Sequence, residues 1–336
     1  MYDFELPKRL IAQKPAEPRD HARLLVYRLR DGSISNHYFY ELSKFLPADT
    51  TVVVNNSRVE NCRWLFENSK IEIFIVQKLD PFTVRALVRP GKKFKIGSSL
   101  QLTPWLQVHT TDIDSDGIRT LHLSVPHDDK RLIDYEHVPL PPYIHQDDRL
   151  ENDYQTVYAV PTGSKAAPTA GLHFTPELLS KIKKYHDFAE VTLHVGLGTF
   201  AKLTDENMAE GRLHSEQYFI DSSTAEVLNA ASHITAVGTT TIRTLESART
   251  LNDTFRSGQF DTDIFIKPGY RFLATDALIT NFHLPSTSLL MMIAAFIADK
   301  KGFVEKEAAE ELMRIYNHAV NESYRFYSFG DAMIIV

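Results

Sequence analysis

The chain has 336 residues, 43% of them hydrophobic, and a formal net charge of −6. That length suits a full core and two domains, and the acidic balance argues against a protein that coats nucleic acid in bulk, though not against a local basic patch. One cysteine, Cys62, excludes a disulfide framework and a cysteine-based zinc site.

In chain order, Met1 to Pro7 carries acid early and no apolar leader, so the expected compartment is the reducing cytoplasm. Arg23 to Arg28 alternates like a strand, Asp31-Gly32 signals a hairpin, and Ile34 to Tyr40 returns. A short helix at Glu41 to Phe45 stops at Pro47, and the Val52-Val53-Val54 strand follows. Residues 60–138 differ: short alternating strands follow one another with Gly, Pro and Asp turns and no helical stretch, as in a small β-barrel. The expected fold is therefore an α/β main domain (1–59 and 139–336) with an inserted all-β, barrel-like domain (60–138).

Val138 to Ile144 is proline-rich and expected to be extended. Tyr154 to Phe174 reads as a long loop, of the kind that is functional or disordered. Beyond it, Thr175-Pro176 opens a helix, Val191 to Val195 is a strand, and Ser223 to Glu226 fits a capping box. The Val237 strand, a helix from Thr241, the Ile264 and Leu278 strands and a helix at Leu289 come next. Leu289 to Ala298 is about half of the ~20 residues that a membrane span needs, so a buried helix is expected and no membrane. A final amphipathic helix spans Glu305 to Ala319, and Ala332 to Val336 closes as a strand.

Four apolar runs end abruptly in polar or glycine clusters: Val52–Val54 into Asn55-Asn56-Ser57-Arg58, Val191–Val195 into Gly196-Leu197-Gly198-Thr199, Ile234–Val237 into Gly238-Thr239-Thr240-Thr241, and Ala277–Thr280 into Asn281-Phe282-His283. Such runs read as strands buried on both faces, and ligands bind where strands of this kind end. One composite site assembled from distant loops is expected. Gly196 to Ala201 matches a relaxed dinucleotide fingerprint, but no helical pattern starts at Ala201, so a tight turn beside a different ligand competes. Gly238 to Glu246 offers a helix N-terminus to a carboxylate or phosphate, with Arg243 as a second charge; ordinary capping by Thr240 explains the same residues. Asn281 and His283 either serve the site or are satisfied core groups. No histidine pair has metal-ligand spacing, and no Gly-x-Ser-x-Gly elbow occurs, so neither a metal centre nor a hydrolytic nucleophile is expected. Tyr324 to Asp331 mixes aromatics with arginine, which suits base stacking or plain packing of a terminal strand.

Phe4-Glu5-Leu6-Pro7, Asn55-Asn56-Ser57-Arg58-Val59, Pro139 to Ile144, Tyr154 to Tyr158, Ala166 to Phe174, Val191 to Phe200, His214-Ser215-Glu216, Ala236 to Ser247, Thr280 to Pro285 and Tyr324 to Met333 stand in one order. In that order they resemble the S-adenosylmethionine:tRNA ribosyltransferase-isomerases of queuosine biosynthesis over nearly the whole chain. The resemblance implies transfer and isomerisation of the ribosyl part of S-adenosylmethionine onto an aminomethyl-deazaguanine wobble base of tRNA, with epoxyqueuosine-tRNA, adenine and methionine as products. S-adenosylmethionine is then a substrate, no cofactor is needed, and no protein partner is implied. A tRNA-binding relative that has lost catalysis is the alternative. The chain departs from the family pattern at Glu60 to Trp64 and Ala201 to Leu203. A base for the carbon next to the sulfonium and an acid for departing adenine are required. The candidates are His173, His214, His283, Glu246 and Asp331. Substrate contacts are expected from Asn55, Asn56, Arg58, Thr169, His194, Thr199, Glu216, Thr239, Thr240, Arg243, Asn281, Tyr324 and Arg325. Two basic clusters are candidates for phosphate: Lys8, Arg9, Lys14, Arg19 and Arg23, and Arg85, Arg89, Lys92, Lys93 and Lys95.

Overall fold

A computed structural model describes residues 2–144, 148–196, 205–250 and 252–336. The chain divides into two units, Met1–Arg58 with Pro141–Val336, and Val59–Leu140.

The larger unit is built on a nine-stranded sheet. Its strands are β1 (Arg23–Tyr27), β2 (Ile34–Tyr38), β3 (Thr50–Asn55), β4 (Phe188–Leu193), β5 (Arg212–Ile220), β6 (His233–Val237), β7 (Gly258–Ile264), β8 (Ala277–Asn281) and β9 (Ala332–Ile335). They lie in the order β7-β5-β4-β3-β6-β8-β9-β1-β2. The run β4-β3-β6-β8 is parallel throughout, and β1 is parallel to β9. The other neighbours are antiparallel. The helices are α1 (Pro176–Tyr185), α2 (Asp205–Glu210), α3 (Ser222–Ala230), α4 (Thr239–Ala248), α5 (Ser288–Lys301) and α6 (Glu305–Asn321).

The continuous apolar runs have a simple cause. Successive residues of a strand face opposite sides, and both sides are covered. Val52, Val54, Leu24, Val26 and Ile334 pack with Phe39, Phe174 and α1 residues Leu178 and Ile182. Their neighbours Val53, Leu25, Tyr27 and Met333 pack with residues of α3, α4, α5 and α6 on the opposite face. The expected buried helix is α5, whose residues from Met292 to Ala298 are all buried. Among the described residues no helix is long and apolar enough to cross a membrane.

The smaller unit is an all-antiparallel, curled seven-stranded sheet. Its core is Trp64, Phe66, Ile71, Ile73, Ile75, Val84, Phe94 and Leu121. Two 3-10 turns, Gly91–Lys93 and Lys130–Tyr135, interrupt the strand-only pattern. Cys62 is buried here, and that burial pushes its thiol up to about 12, which leaves it without nucleophilic character.

Several local expectations are corrected. Asp221, not Ser223, caps α3: its carboxylate accepts from the Thr224 N–H and the Ser223 hydroxyl, both at 2.7 Å. A carboxylate at the positive helix end is favoured over a hydroxyl there. α4 starts at Thr239, two residues early, with Gly238 as its cap at φ 90°. His214-Ser215-Glu216, expected to serve a site assembled from loops, lies in the strand β5. One face of that antiparallel strand is exposed, so its polar residues gave no strand signal. The element at Glu41 is a 3-10 helix over Phe39–Lys44. Pro142 and Tyr143 form a turn within the segment expected to be extended.

Candidate active site

The register places Glu190, Val54, Val237 and Ile279 in one row across β4, β3, β6 and β8. Because these strands are parallel, all four apolar runs end at one edge of the sheet. A cavity of about 650 Å³ opens at that edge. Gly238, Thr239 and Thr240 line it from the β6–α4 turn, and Thr280, Asn281, His283 and Pro285 to Leu289 from the β8–α5 connection. Ala166 to Ala170 enter from the long loop, with Tyr143, Tyr154, Tyr327 and Ser328. Its volume is that of a small-molecule site.

Gly238 makes the β6–α4 turn. At φ 90° it adopts backbone that a side chain would strain, and its N–H donates to Ile279 O at 2.8 Å. Thr241 Oγ1 bonds back to Val237 O at 2.6 Å, which tightens the first turn of α4. The positive end of α4 is thus presented to the cavity through Thr239 and Thr240.

Asn281 organises the opposite side. Its amide nitrogen donates to Tyr327 O at 2.9 Å and to Ser328 O at 3.2 Å, so its oxygen is the acceptor facing His173 Nε2 at 3.0 Å. His173 therefore carries its proton on Nε2. Burial pulls that imidazole down to about 4, against a smaller opposing pull from Asn281, so it is neutral at ordinary pH. Asn281 in turn holds Tyr327, whose φ of 75° is left-handed. Tyr143 packs on the Tyr327 ring at 3.9 Å and 36°, with its hydroxyl against Ser328 Oγ. His283 is half-buried on the cavity wall, with Nε2 2.9 Å from Thr280 Oγ1; burial pulls it, too, down to about 4.

Of the residues expected at the site, Thr169, Thr239, Thr240, Asn281 and His283 line the cavity. Asn55 lies just behind: it donates to Leu193 O at 3.0 Å and to Thr240 Oγ1 at 3.3 Å, and accepts from the Ser57 and Leu193 N–H groups. Asn56 ties Glu190 to Thr192, and Arg58 is exposed. His194 is half-buried with Nδ1 unpartnered, its ring packed over Gly163; burial and Lys165 hold its pKa down. Arg243 does not line the cavity: it forms a buried pair with Glu216, whose other oxygen accepts from Gly196 N at 2.8 Å.

Other candidates are engaged in the scaffold. Glu246 clamps a loop by accepting from the N–H groups of Leu273 at 3.0 Å and Ala274 at 3.1 Å. Asp331 accepts from the N–H groups of Arg23 at 3.0 Å and Arg325 at 2.7 Å and pairs with the Arg325 guanidinium. Tyr324 is fully buried under the Arg23 guanidinium and bonds Asn36, so it offers no face to a base. His214 is exposed on β5. Thr199 lies outside the described residues, as does most of the glycine fingerprint after Gly196. Tyr143 and Lys165 carried no site expectation, and Tyr327 only the general one of its segment, Tyr324 to Asp331, for base stacking or packing. Tyr143 and Tyr327 arrive by turns that are far apart in sequence. Lys165 is buried beside the cavity-lining Ala166, and burial lowers it to about 8. Its signal was a lone charge in the small-residue run Gly163 to Ala170.

The model of the queuosine biosynthesis protein family matches residues 1–335. The chain is 41% identical to the S-adenosylmethionine:tRNA ribosyltransferase-isomerase of Moorella thermoacetica and 44% identical to that of Thermotoga petrophila, each over 100% of this chain and 98% of the relative. The crystal structure of S-adenosylmethionine tRNA ribosyltransferase from Thermotoga maritima is similar at 34% identity and a TM-score of 0.55, covering 100% of this chain and 99% of the other.

Proposed function

The chain belongs to the queuosine biosynthesis protein family and is a transferase of the S-adenosylmethionine:tRNA ribosyltransferase-isomerase kind, and we propose that it moves and isomerises the ribosyl part of S-adenosylmethionine onto the aminomethyl-deazaguanine wobble base of tRNA in the cytoplasm. Epoxyqueuosine-tRNA forms, and adenine and methionine leave. S-adenosylmethionine is consumed as a substrate. The observation that carries this is the convergence of three parallel strand ends, those of β4, β6 and β8, on one cavity of about 650 Å³, with Asn55 at the end of β3 bonded to Thr240 just behind it.

The chemistry distributes itself over that cavity. The N-terminus of α4 at Thr239 and Thr240 supports a site for the methionine carboxylate. The Tyr143–Tyr327 pair supports stacking against a planar base. The sulfonium acidifies the adjoining ribose carbon, and a neutral imidazole suits removal of that proton. His283 is the candidate, because it lines the cavity and burial keeps it unprotonated. His173 acts through Asn281 as a positioning residue.

Purified protein, S-adenosylmethionine and aminomethyl-deazaguanine tRNA should release adenine in step with modified tRNA. No release with tRNA still bound would leave the catalytically inactive alternative. His283→Ala should lower single-turnover adenine release by ~10²–10⁴ with substrate binding nearly intact. Unchanged turnover would pass the role to another group, Lys165 first.

A further inference from the structure

Two rings outside the cavity are exposed together. Tyr38 and Tyr40 are 46% and 40% accessible, with centroids 5.5 Å apart and planes 7° from parallel. The exposed His21 ring stands 5.2 Å from Tyr40. Between the two tyrosines, Phe39 is fully buried, 5.0 Å from His173 and 5.1 Å from Phe174. The Tyr38 N–H donates to Glu41 Oε2 at 3.2 Å, which fixes the start of the 3-10 helix. The pair is thus rooted in the same histidine that holds Asn281.

The sheet sets its position. Asn281, Ala332, Leu24 and His37 form one row across β8, β9, β1 and β2. Tyr38 lies one residue beyond that row, at the edge where the cavity opens. Three strand spacings place it about 15 Å from Asn281, within reach of a few nucleotides of a loop.

We propose that Tyr38 and Tyr40 form a stacking platform for an unpaired base of the RNA loop, a short step along the strand from the base that enters the cavity. This rests on the reading that the chain acts on tRNA. Every base has a π face, and single-stranded loops present bases that are free to stack on aromatic side chains. Rings held nearly parallel and partly open to solvent by their own fold are suited to that contact.

The test uses the full chain with Tyr38→Ala/Tyr40→Ala and with Tyr38→Phe/Tyr40→Phe, and aminomethyl-deazaguanine tRNA as the probe. Thermal unfolding should match the parent in both, since the rings are exposed. The alanine variant should bind the tRNA ~10–100-fold more weakly, the loss of one or two stacked bases. The phenylalanine variant should bind as the parent does, and S-adenosylmethionine affinity should hold in both. A parent protein that binds no tRNA overturns the functional reading and the platform with it. A parent that binds, with an equally tight alanine variant, overturns the platform alone. Equal loss in the phenylalanine variant would assign the contact to the hydroxyls and refute stacking. Unchanged RNA affinity with altered sedimentation would make the rings a protein contact instead.

Discussion

His173 shows how one hydrogen bond constrains a residue's chemistry. Unfolded, its ring titrates near the ordinary 6.5; folded, burial holds it at about 4. Between those values the unfolded chain binds the extra proton, so the stability tied to the neutral ring is complete above pH 6.5 and is lost as pH falls toward 4. His173→Gln keeps a donor toward Asn281 and removes the titration. Its melting temperature should fall less steeply between pH 6.5 and 4 than the parent's. Superimposable slopes would show that His173 does not contribute to acid lability. Arg243 is bound by a different constraint. It shares a buried pair with Glu216, so Arg243→Ala takes the guanidinium from a buried carboxylate and should destabilise by about 3–5 kcal/mol in urea unfolding. Weakened S-adenosylmethionine binding at unchanged stability would instead place Arg243 against the ligand.

The 3-10 turn Thr169–His173 shows the same economy in an element. It delivers Thr169 and Ala170 to the cavity and His173 to Asn281 within five residues. Gly171 allows this, because a Cβ there would fall onto the Tyr158 hydroxyl and within 2.8 Å of Thr156 Cγ2. Gly171→Ala should therefore cost about 1–3 kcal/mol by overpacking. The Tyr158 hydroxyl is buried without a partner, so Tyr158→Phe alone should be neutral or stabilising, and the double variant should recover much of the drop in melting temperature. Additive effects would mean that the clash lies elsewhere.

At the scale of the whole molecule, the proposed reaction needs a surface for the RNA backbone, and the sequence holds two candidate basic clusters. Lys92→Ala with Lys93→Ala should flatten the salt dependence of tRNA affinity by about one unit of slope for each phosphate no longer neutralised. An unchanged slope would transfer that role to the exposed Lys8, Arg9 and Lys14. The parallel strands and the edge where they converge were legible in the sequence, because strands covered on both faces leave apolar runs that end at polar turns. The site's interior was less so. Glu246 and Asp331 have the right chemistry for proton transfer, yet each is spent on backbone amides, some of them 27 or 308 residues away in sequence. Residue type is visible in a sequence; the amide it will meet is not. That Tyr143 would meet Tyr327, and that Tyr327 is the aromatic of its segment to reach the cavity, was hidden for the same reason, since only tertiary turns bring them together.

β9 joins β1 to β8, so the hairpin β1–β2 reaches the rest of the sheet only through residues 332–335. The Arg23 N–H and the Asp331 carboxylate that meet at this seam are 308 positions apart. On a ribosome that adds 5–20 residues per second, the hairpin waits roughly 15–60 s for its neighbour. Through that interval one side of β1 is an unpaired edge, open to association with other chains. The sheet beneath the candidate active site is therefore completed only after synthesis has passed residue 335.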